Sequence, residues 1–478
     1  MTGKNFALLK VLGEIGWSQS DLARAVNAVM GSGYISRSTV SEWTNHARIP
    51  RDPLPTVVTH VLSEAAGREL LIDTVWQGKA PKSQLWVPAL DGMCVGWQHA
   101  DMLSSLRGWL DGREAVLDFD HRTFLPMQGD SLTEPVWSYV ESTSFPVSPI
   151  EYHHDGKRDG RMVSRSMAHI AAQMLQQMRR LDDAEGASLE NLRFVHRYAL
   201  SIADSIDSGE AADSTVLREL LDLWMQLCQL AGWMAYDAQQ HGLAQRYWCT
   251  GLHAARSLGD RDYGAYIVTL LARQAVHRSR VDEAARLITG ATVAAKAGPP
   301  MLRAFVESIR IQVEALAGNS YGMDSAAESA MELAEDSEAP DTKPRWLYWF
   351  TAARTRVHHG QALVTLYDRA AHPAKHRLEL AARLLAPNSL LDDAFFPREA
   401  AYNRVWLAQS QVRRGDVPTA LRTARSILED GVVRSPRCVS QLHRLDSELN
   451  HYATKGNLDQ VREFHGRLQN LVAQRRVA

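Results

Sequence analysis

The stretch Leu230–Trp248, LAGWMAYDAQQHGLAQRYW, decides the fold of the larger part of this chain. Its first half mixes small with apolar residues, His241-Gly242 interrupts it, and Ala244 opens a second amphipathic half. A Gly-containing break between two amphipathic segments is typical of a turn between helices. Small residues on both sides of the turn let the two helices pack closely. The stretch therefore predicts a helical hairpin.

The same arrangement recurs further along the chain. Residues 270–288 and 407–424 repeat the sequence of small residues, break and second helix. Ala244 and the corresponding Ala284 are 40 residues apart. Self-similarity at a period of this size indicates a repeat architecture.

This spacing resembles that of tetratricopeptide repeats, although it is longer than their standard of about 34 residues. Six units are predicted, at residues 227–258, 267–297, 301–336, 345–386, 404–430 and 437–473. The resemblance implies an all-α chain whose C-terminal part is a right-handed α-solenoid with a concave groove. An unspecialised all-helical bundle is the structural alternative.

A concave groove of this kind binds a peptide, a small molecule or another protein. The candidate groove residues are aromatic or basic: Trp233, Tyr236, Arg273, Arg310, Trp349 and Arg354. Aromatic residues at helical spacing also fill protein interiors. Core packing is therefore the alternative role for each of them.

The N-terminal region carries a different helical pattern. Ser18 is a favourable N-cap, and Asp21 stands three residues later, where a capping-box acid is expected. Leu22, Ala23 and Val26 then share one helical face. The small Ala23 allows a second helix to cross closely.

A second short helix is predicted after Ile35. Ser36 caps it, and Val40 and Trp43 form its buried pair. Its outward residues are polar: Arg37, Ser38, Ser41, Glu42 and Asn45. Such a face fits the DNA major groove, where Arg bonds guanine and Glu accepts from cytosine.

The order of these residues resembles the Cro/C1-type (XRE-like) helix-turn-helix family, in Ser18-Gln19, Leu22-Ala23, Ile35-Ser36, Val40-Ser41, Trp43 and Pro50. The base-reading residues expected on this helix are Arg37, Ser38, Ser41 and Glu42. The residues expected to contact phosphates are Gln19, Asn45, Arg48 and Arg51. Residues 27–34 are an insertion relative to the family, and lengthen either the first helix or the turn.

The charge of this region leaves a second interpretation open. Residues 1–82 carry nine Lys and Arg against seven Asp and Glu, a small local excess of positive charge. A helical hairpin that binds protein, or has no DNA role, is the alternative to DNA binding.

Three regions are predicted along the chain: a helix-turn-helix domain at 1–80, a connector at 81–160 and a repeat domain at 161–478. The connector contains six prolines, and we expect it to be irregular, with a helix around Asp101–Leu110. Its isolated tryptophans indicate that it packs against another part of the protein.

The composition excludes several classes of function. The formal net charge is −2, so nucleic-acid affinity has to come from a local patch. The N-terminus has no signal-peptide pattern and no segment reaches membrane-spanning length, which predicts a cytoplasmic, nucleoid-associated protein without a membrane partner. Four widely spaced cysteines predict buried thiols rather than a zinc ribbon or disulfide framework.

No catalytic or metal-binding pattern is present in the sequence. His153-His154-Asp155 falls in a polar, Gly-rich stretch, and His358-His359 points to two faces of one helix. The carboxylate pair Asp182-Asp183 is expected to complement a helix end. We therefore expect a protein that is not an enzyme and uses neither metal nor cofactor.

Over its whole length, the chain resembles actinobacterial regulators of the Streptomyces type that join an XRE-like helix-turn-helix to tetratricopeptide repeats. The segment Leu230–Trp248 carries the most specific part of that resemblance. It implies a transcription regulator, often a repressor of differentiation or antibiotic production. We expect a homodimer that binds operator DNA. The alternative is a protein-interaction scaffold whose N-terminal motif binds protein.

Overall fold

The computed structural model describes residues 3–30, 34–66, 68, 70–80, 96–111, 125–143, 162–186, 188–337, 343–370, 373–389, 397–429, 435–452 and 458–477. Across these ranges the protein is built from 21 α-helices and two short 3-10 helices, with one isolated β-bridge between Val163 and Ala211. The predicted all-α class is confirmed. None of the described helices is long and apolar enough to cross a membrane.

Five helices form the N-terminal region: α1 (Phe6–Glu14), α2 (Gln19–Met30), α3 (Arg37–Asn45), α4 (Leu54–Ala66) and α5 (Ile72–Val75). The apolar residues predicted on α2 and α3 lie in their common core. Trp43 meets Trp76 edge to face, with ring centroids 6.0 Å apart. The Trp76 indole N–H donates to the carbonyl of Pro55 over 3.0 Å, so the buried ring keeps its polar atom satisfied.

The insertion at residues 27–34 lengthens α2, which continues to Met30. The Asn27 side chain then bonds the backbone of Ile35 in both directions, at 2.9 Å to its carbonyl and 2.8 Å from its N–H. This clamp returns the chain to the start of α3. Residues 31–33 lie outside the described ranges.

The connector contains two described helices, α6 (His99–Asp111) and α7 (Asp130–Ser142). The first is the predicted one. The second was not predicted, because Pro135 lies inside it and an interior proline removes a backbone hydrogen bond. Its buried face, which includes Val136 and Tyr139, packs on the repeat domain and offsets that loss.

Seven helical pairs follow: α8 (Arg165–Glu185) and α9 (Leu189–Asp207), α10 (Ser214–Asp237) and α11 (His241–Leu258), α12 (Arg261–His277) and α13 (Val281–Ala294), α14 (Pro300–Leu316) and α15 (Ser320–Glu335), α16 (Ala352–Arg369) and α17 (Lys375–Leu385), α18 (Pro397–Arg413) and α19 (Val417–Glu429), α20 (Pro436–Tyr452) and α21 (Leu458–Val477). The last six pairs are the predicted units. The pair α8 and α9 was not predicted as a unit, and both of its helices pack against α10.

Close packing within the first predicted hairpin depends on Gly232. The Trp248 indole of α11 lies directly over this glycine of α10, where a Cβ atom would overlap ring atoms. A mid-helix glycine costs about 1 kcal/mol relative to alanine. The fully buried Trp248 ring offsets that cost by removing apolar surface from water.

The connector packs along the second helices of the array. Trp109 of α6 stacks on Tyr247 of α11, with ring centroids 4.3 Å apart, and its indole N–H donates to Thr250 Oγ1 over 2.7 Å. The Gln245 carboxamide bonds both the N–H and the carbonyl of Met127. The described parts of the connector are therefore ordered by contact with the array, in line with its predicted packing role.

The N-terminal region also contacts the array. The Arg280 guanidinium, at the start of α13, donates to the Ser63 carbonyl of α4 over 2.8 Å. His60 of α4 and Gln128 of the connector share a hydrogen bond of 2.8 Å. These two contacts fix α4 against the turn between α12 and α13 and against the connector.

Candidate functional site

Two places in the molecule bring predicted functional residues together, and the first is the outer face of α3. The Ser36 side chain accepts from the Thr39 N–H over 3.2 Å and caps the helix as predicted. Ser18 and Asp21 form the predicted capping box at the start of α2, with bonds of 2.9 Å and 3.2 Å. Bonds from Ser18, assisted by Arg24, lower the pKa of the exposed Asp21 carboxyl.

The predicted base-reading residues lie on one surface of α3. Arg37 and Ser38 are exposed, whereas Ser41 and Glu42 are partly exposed. Glu42 pairs with the predicted phosphate contact Arg48 at 3.2 Å. The Asn45 amide donates to Ser41 Oγ over 2.9 Å. Several of these side chains thus bond one another before any ligand is present.

Gln19, which is predicted to contact a phosphate, forms a hydrogen bond within the protein. Its amide nitrogen donates to Thr44 Oγ1 over 2.8 Å, which joins the start of α2 to the end of α3. Thr44 in turn accepts the Asn5 N–H at its carbonyl. Gln19 therefore sets the angle between α2 and α3. Arg51 follows α3 and is exposed.

The second place is the inner side of the array, where Trp233, Arg273, Trp349 and Arg354 line one cavity of about 60 Å³. Tyr236 lines a separate, larger opening together with Arg273. Arg310 lines neither, and its Nε lies 2.7 Å from Glu307 Oε2. Four of the six predicted groove residues therefore line the same cavity, and Arg273 lines both this cavity and the larger opening.

The inner side also contains a buried ion network that sequence reasoning did not find. Asp237, at the end of α10, accepts from Arg398 and Arg437 at 2.9 Å each. Arg398 reaches Asp182 at 3.4 Å, and Arg437 reaches Glu399 at 3.1 Å. The expectation that Asp182 only complements a helix end is corrected, because its carboxylate pairs with a helix more than 200 residues away.

Burial and pairing compete at each acid of this network. Burial raises the pKa of Asp182 to about 6, against the opposing effect of Arg398. Burial also disfavours ionisation of Asp237, but Arg398 and Arg437 hold its pKa below the ordinary value. At Glu399, Arg437 and Arg354 likewise overcome burial and lower the pKa. Asp237 and Glu399 are therefore the permanent anions of the network.

Trp233 stands at the centre of these charges. The guanidinium carbons of Arg273, Arg437 and Arg398 lie 5.2, 5.5 and 6.0 Å from its ring centroid. Cations within about 6 Å of an aromatic face are attracted by it. Trp233 thus helps to hold three arginines together on the inner side of the array.

The larger opening is named here the polar cleft. Its volume is about 520 Å³, and the first helices of six hairpins, α10 to α20, contribute to its wall. Its charged residues are Arg273, Asp368, Arg369, Arg413, Arg437, Arg444 and Glu448, and His277 lies among them. The smaller cavity beside it is lined by more tryptophans, among them Trp233, Trp346 and Trp349.

Other predicted features fall elsewhere. Among the described residues no cluster of three His, Cys, Asp or Glu side chains is placed to hold a metal ion. His153, His154, Asp155 and Cys94 lie outside the described ranges. Cys228, Cys249 and Cys438 are buried, as expected. Burial lowers the pKa of His358 and of His359, so both rings are neutral near pH 7.

Comparison with known proteins adds one family and one structure. The family described as the SP15 N-terminal domain matches residues 8–75. These residues coincide with the N-terminal core, which runs from Leu8 to Trp76. No curated protein matches the chain.

A solved structure described as "Circular tandem repeat protein with novel repeat topology and enhanced subunit contact surfaces" is 16% identical and covers 96% of this chain and 89% of its own, with a TM-score of 0.14. The assignment of paired helices therefore rests on the helices of this chain themselves.

Proposed function

We propose that this protein is a sequence-specific DNA-binding transcription regulator in which α3 enters the major groove. The supporting observation is the outer face of α3, where Arg37, Ser38, Ser41 and Glu42 lie on one surface of a capped helix. Arginine recognises guanine through two hydrogen bonds, and glutamate accepts from cytosine. The resemblance to the XRE-like family favours the same role.

The array is proposed to dimerise the protein and to bind a ligand or partner. Two N-terminal regions would then read half-sites roughly 34 Å apart, one turn of DNA. Contacts such as Arg280 to Ser63 join each DNA-reading region to its array. A ligand acts as a switch only if it binds one spacing of the two regions more tightly than the other. By resemblance, the regulated genes serve differentiation or secondary metabolism, and the regulator represses them.

The test begins with selection of DNA sites from a random library, followed by gel shifts of the selected site at several salt concentrations. Arg37→Ala is expected to lower affinity by about five- to 150-fold and to relax one base preference, since a bidentate contact contributes about 1–3 kcal/mol. Arg356→Ala is the matched control, because it removes one exposed arginine of the array. No selected sequence, or equal losses in both variants, would overturn the proposal.

Protein binding by the N-terminal region is the second candidate function. It is favoured by the pairing of Glu42 with Arg48, which neutralises part of the proposed DNA surface. Chromatin immunoprecipitation without enriched sites, together with one stoichiometric protein partner in pull-downs, would support this scaffold function. Enriched sites that depend on Arg37 would exclude it.

A further inference from the structure

The polar cleft carries an excess of positive charge that its own acids do not balance. Arg369 and Arg444 are exposed on its wall, and neither forms an ion pair with another described residue. Burial, together with Arg437 and Arg444, lowers the pKa of His277 to about 3. The cleft therefore disfavours a further cation and favours an anion.

Arg413 is a buried cation of the cleft with an unused hydrogen-bond donor. Its side chain is only 10% exposed, and one terminal nitrogen bonds both Asp368 and Glu448, at 2.9 and 2.8 Å. Its other terminal nitrogen is buried without a hydrogen-bond partner. A buried unsatisfied donor on a charged group is costly. A carboxylate entering the cleft would accept from it, as two carboxylates of the protein already do on the other side.

A row of carboxamides crosses the cleft from helix to helix. Gln312 donates to Gln361 over 3.1 Å, and Gln441 donates to Gln409 over 3.3 Å. Each carboxamide has two N–H donors and two acceptor positions, so these bonds use only part of its capacity. Gln361 also donates to Asn403 over 3.2 Å, and Gln409 donates to Glu448 over 3.1 Å. The donor and acceptor positions left over on the row would pair with the N–H and C=O groups of an extended peptide. The wall is built from the first helices of six consecutive hairpins, so an extended chain would contact several of them.

We propose that the polar cleft binds an acidic peptide in extended form, with Arg369, Arg413 and Arg444 holding its carboxylates and the glutamine row facing its backbone. The proposal rests on the array being the ligand-binding unit of the proposed regulator. It names the chemical class of that ligand.

Protons are coupled to this binding. Glu448 faces Arg413 and Gln409 from α18, Asp368 from α16 and Arg444 on its own helix. Burial raises the Glu448 pKa to about 7. An incoming carboxylate competes with Glu448 for Arg413 and favours its protonation. Binding is therefore tighter at pH 6, where Glu448 is mostly protonated, than at pH 8.

The experiment measures fluorescence anisotropy of fluorescein-labelled hexaglutamate, hexalysine and a six-nucleotide thymidine oligomer with the full chain. Hexaglutamate is expected to bind and hexalysine is not. The variant R369Q/R444Q is expected to weaken hexaglutamate binding at least tenfold and to fold normally by circular dichroism, because both side chains are exposed. The control R310Q/R356Q removes the same charge outside the cleft and is expected to stay within twofold.

Absence of hexaglutamate binding, equal losses in both double variants, or equally tight oligonucleotide binding would each overturn the proposal. The last result would assign the cleft to nucleic acid. No operator is present in this assay. Failure here is therefore distinct from failure of DNA recognition, which the gel shifts measure separately.

Discussion

Arg398, the second residue of α18, lies 2.9 Å from Asp237, the last residue of α10, although 161 positions separate them in the chain. In an ordinary solenoid each repeat contacts only its neighbours. Here the first predicted hairpin contacts the fifth through Arg398 and the sixth through Arg437. The predicted concave groove is consequently divided, with a small aromatic cavity and the polar cleft meeting at Arg273.

The Asp237 carboxylate is expected to be essential for the stability of the array. Asp237→Asn leaves two buried guanidinium groups without their shared anion, and loss of one partner of a buried pair costs about 3–5 kcal/mol. Urea denaturation measures this as a lower free energy of unfolding. The control Glu335→Gln breaks the exposed pair with Arg356 and is expected to cost less than about 1 kcal/mol. Similar losses in both variants would contradict the role assigned to the network.

Gly232 is expected to tolerate no side chain. Gly232→Ala forces the Trp248 indole to move, and overpacking of a core costs about 1–3 kcal/mol, against about 1 kcal/mol gained in helix propensity. We expect a lower Tm. Gly466→Ala in α21 is the matched control, since a Cβ there meets nothing within 4 Å. That variant is expected to be neutral or more stable, and a fall in its Tm would show that propensity is not the deciding effect.

Glu448 is expected to make stability depend on pH. Because the Glu448 pKa rises from an ordinary 4.5 to about 7 on folding, the native state binds the extra proton in this range. The free energy of unfolding therefore falls as pH rises from about 4.5 to about 7, and the contribution is constant above. Glu448→Gln removes that fall. The free energy of unfolding is measured against pH for the wild type and for the variant. The difference between the two values is expected to change by about 1–3 kcal/mol between pH 5 and pH 8. Parallel curves would contradict the shifted pKa.

Arg280 is expected to hold the N-terminal region on the array. Arg280→Gln removes the 2.8 Å bond to the Ser63 carbonyl, and local openings of α4 become more frequent. Hydrogen exchange of α4 amides is expected to accelerate several-fold, whereas α14 amides are unaffected. Arg286→Gln provides the control, because it removes an exposed arginine of α13 that pairs with Asp130 of α7. Acceleration spread equally over both helices would indicate global destabilisation instead.

Local chemistry made the helices and the face of α3 predictable. The partners of the Ser18–Asp21 capping box are three positions apart, and so are those of the Ser36–Thr39 cap. Burial of Val40 and Trp43 follows from their spacing on one helix. The helix α7 was missed because its proline argues against a helix locally, while its packing on α13 is a tertiary effect. The pair α8 and α9 was not predicted as a unit, although Gly186 lies at its turn.

The sequence by itself determined that this protein is all-α, that its repeats pair as hairpins, and that α3 presents a polar face. Each of these depends on residues within a few turns of one another. Only the tertiary structure decided which arginines meet which acids. Asp237 and Arg437 are 200 positions apart, and no local sequence pattern around either residue predicts that the two are partners. Their pairing depends on the curvature of the array, because that curvature brings its first and last predicted hairpins together. The curvature in turn depends on the packing angles of all the hairpins between the two residues.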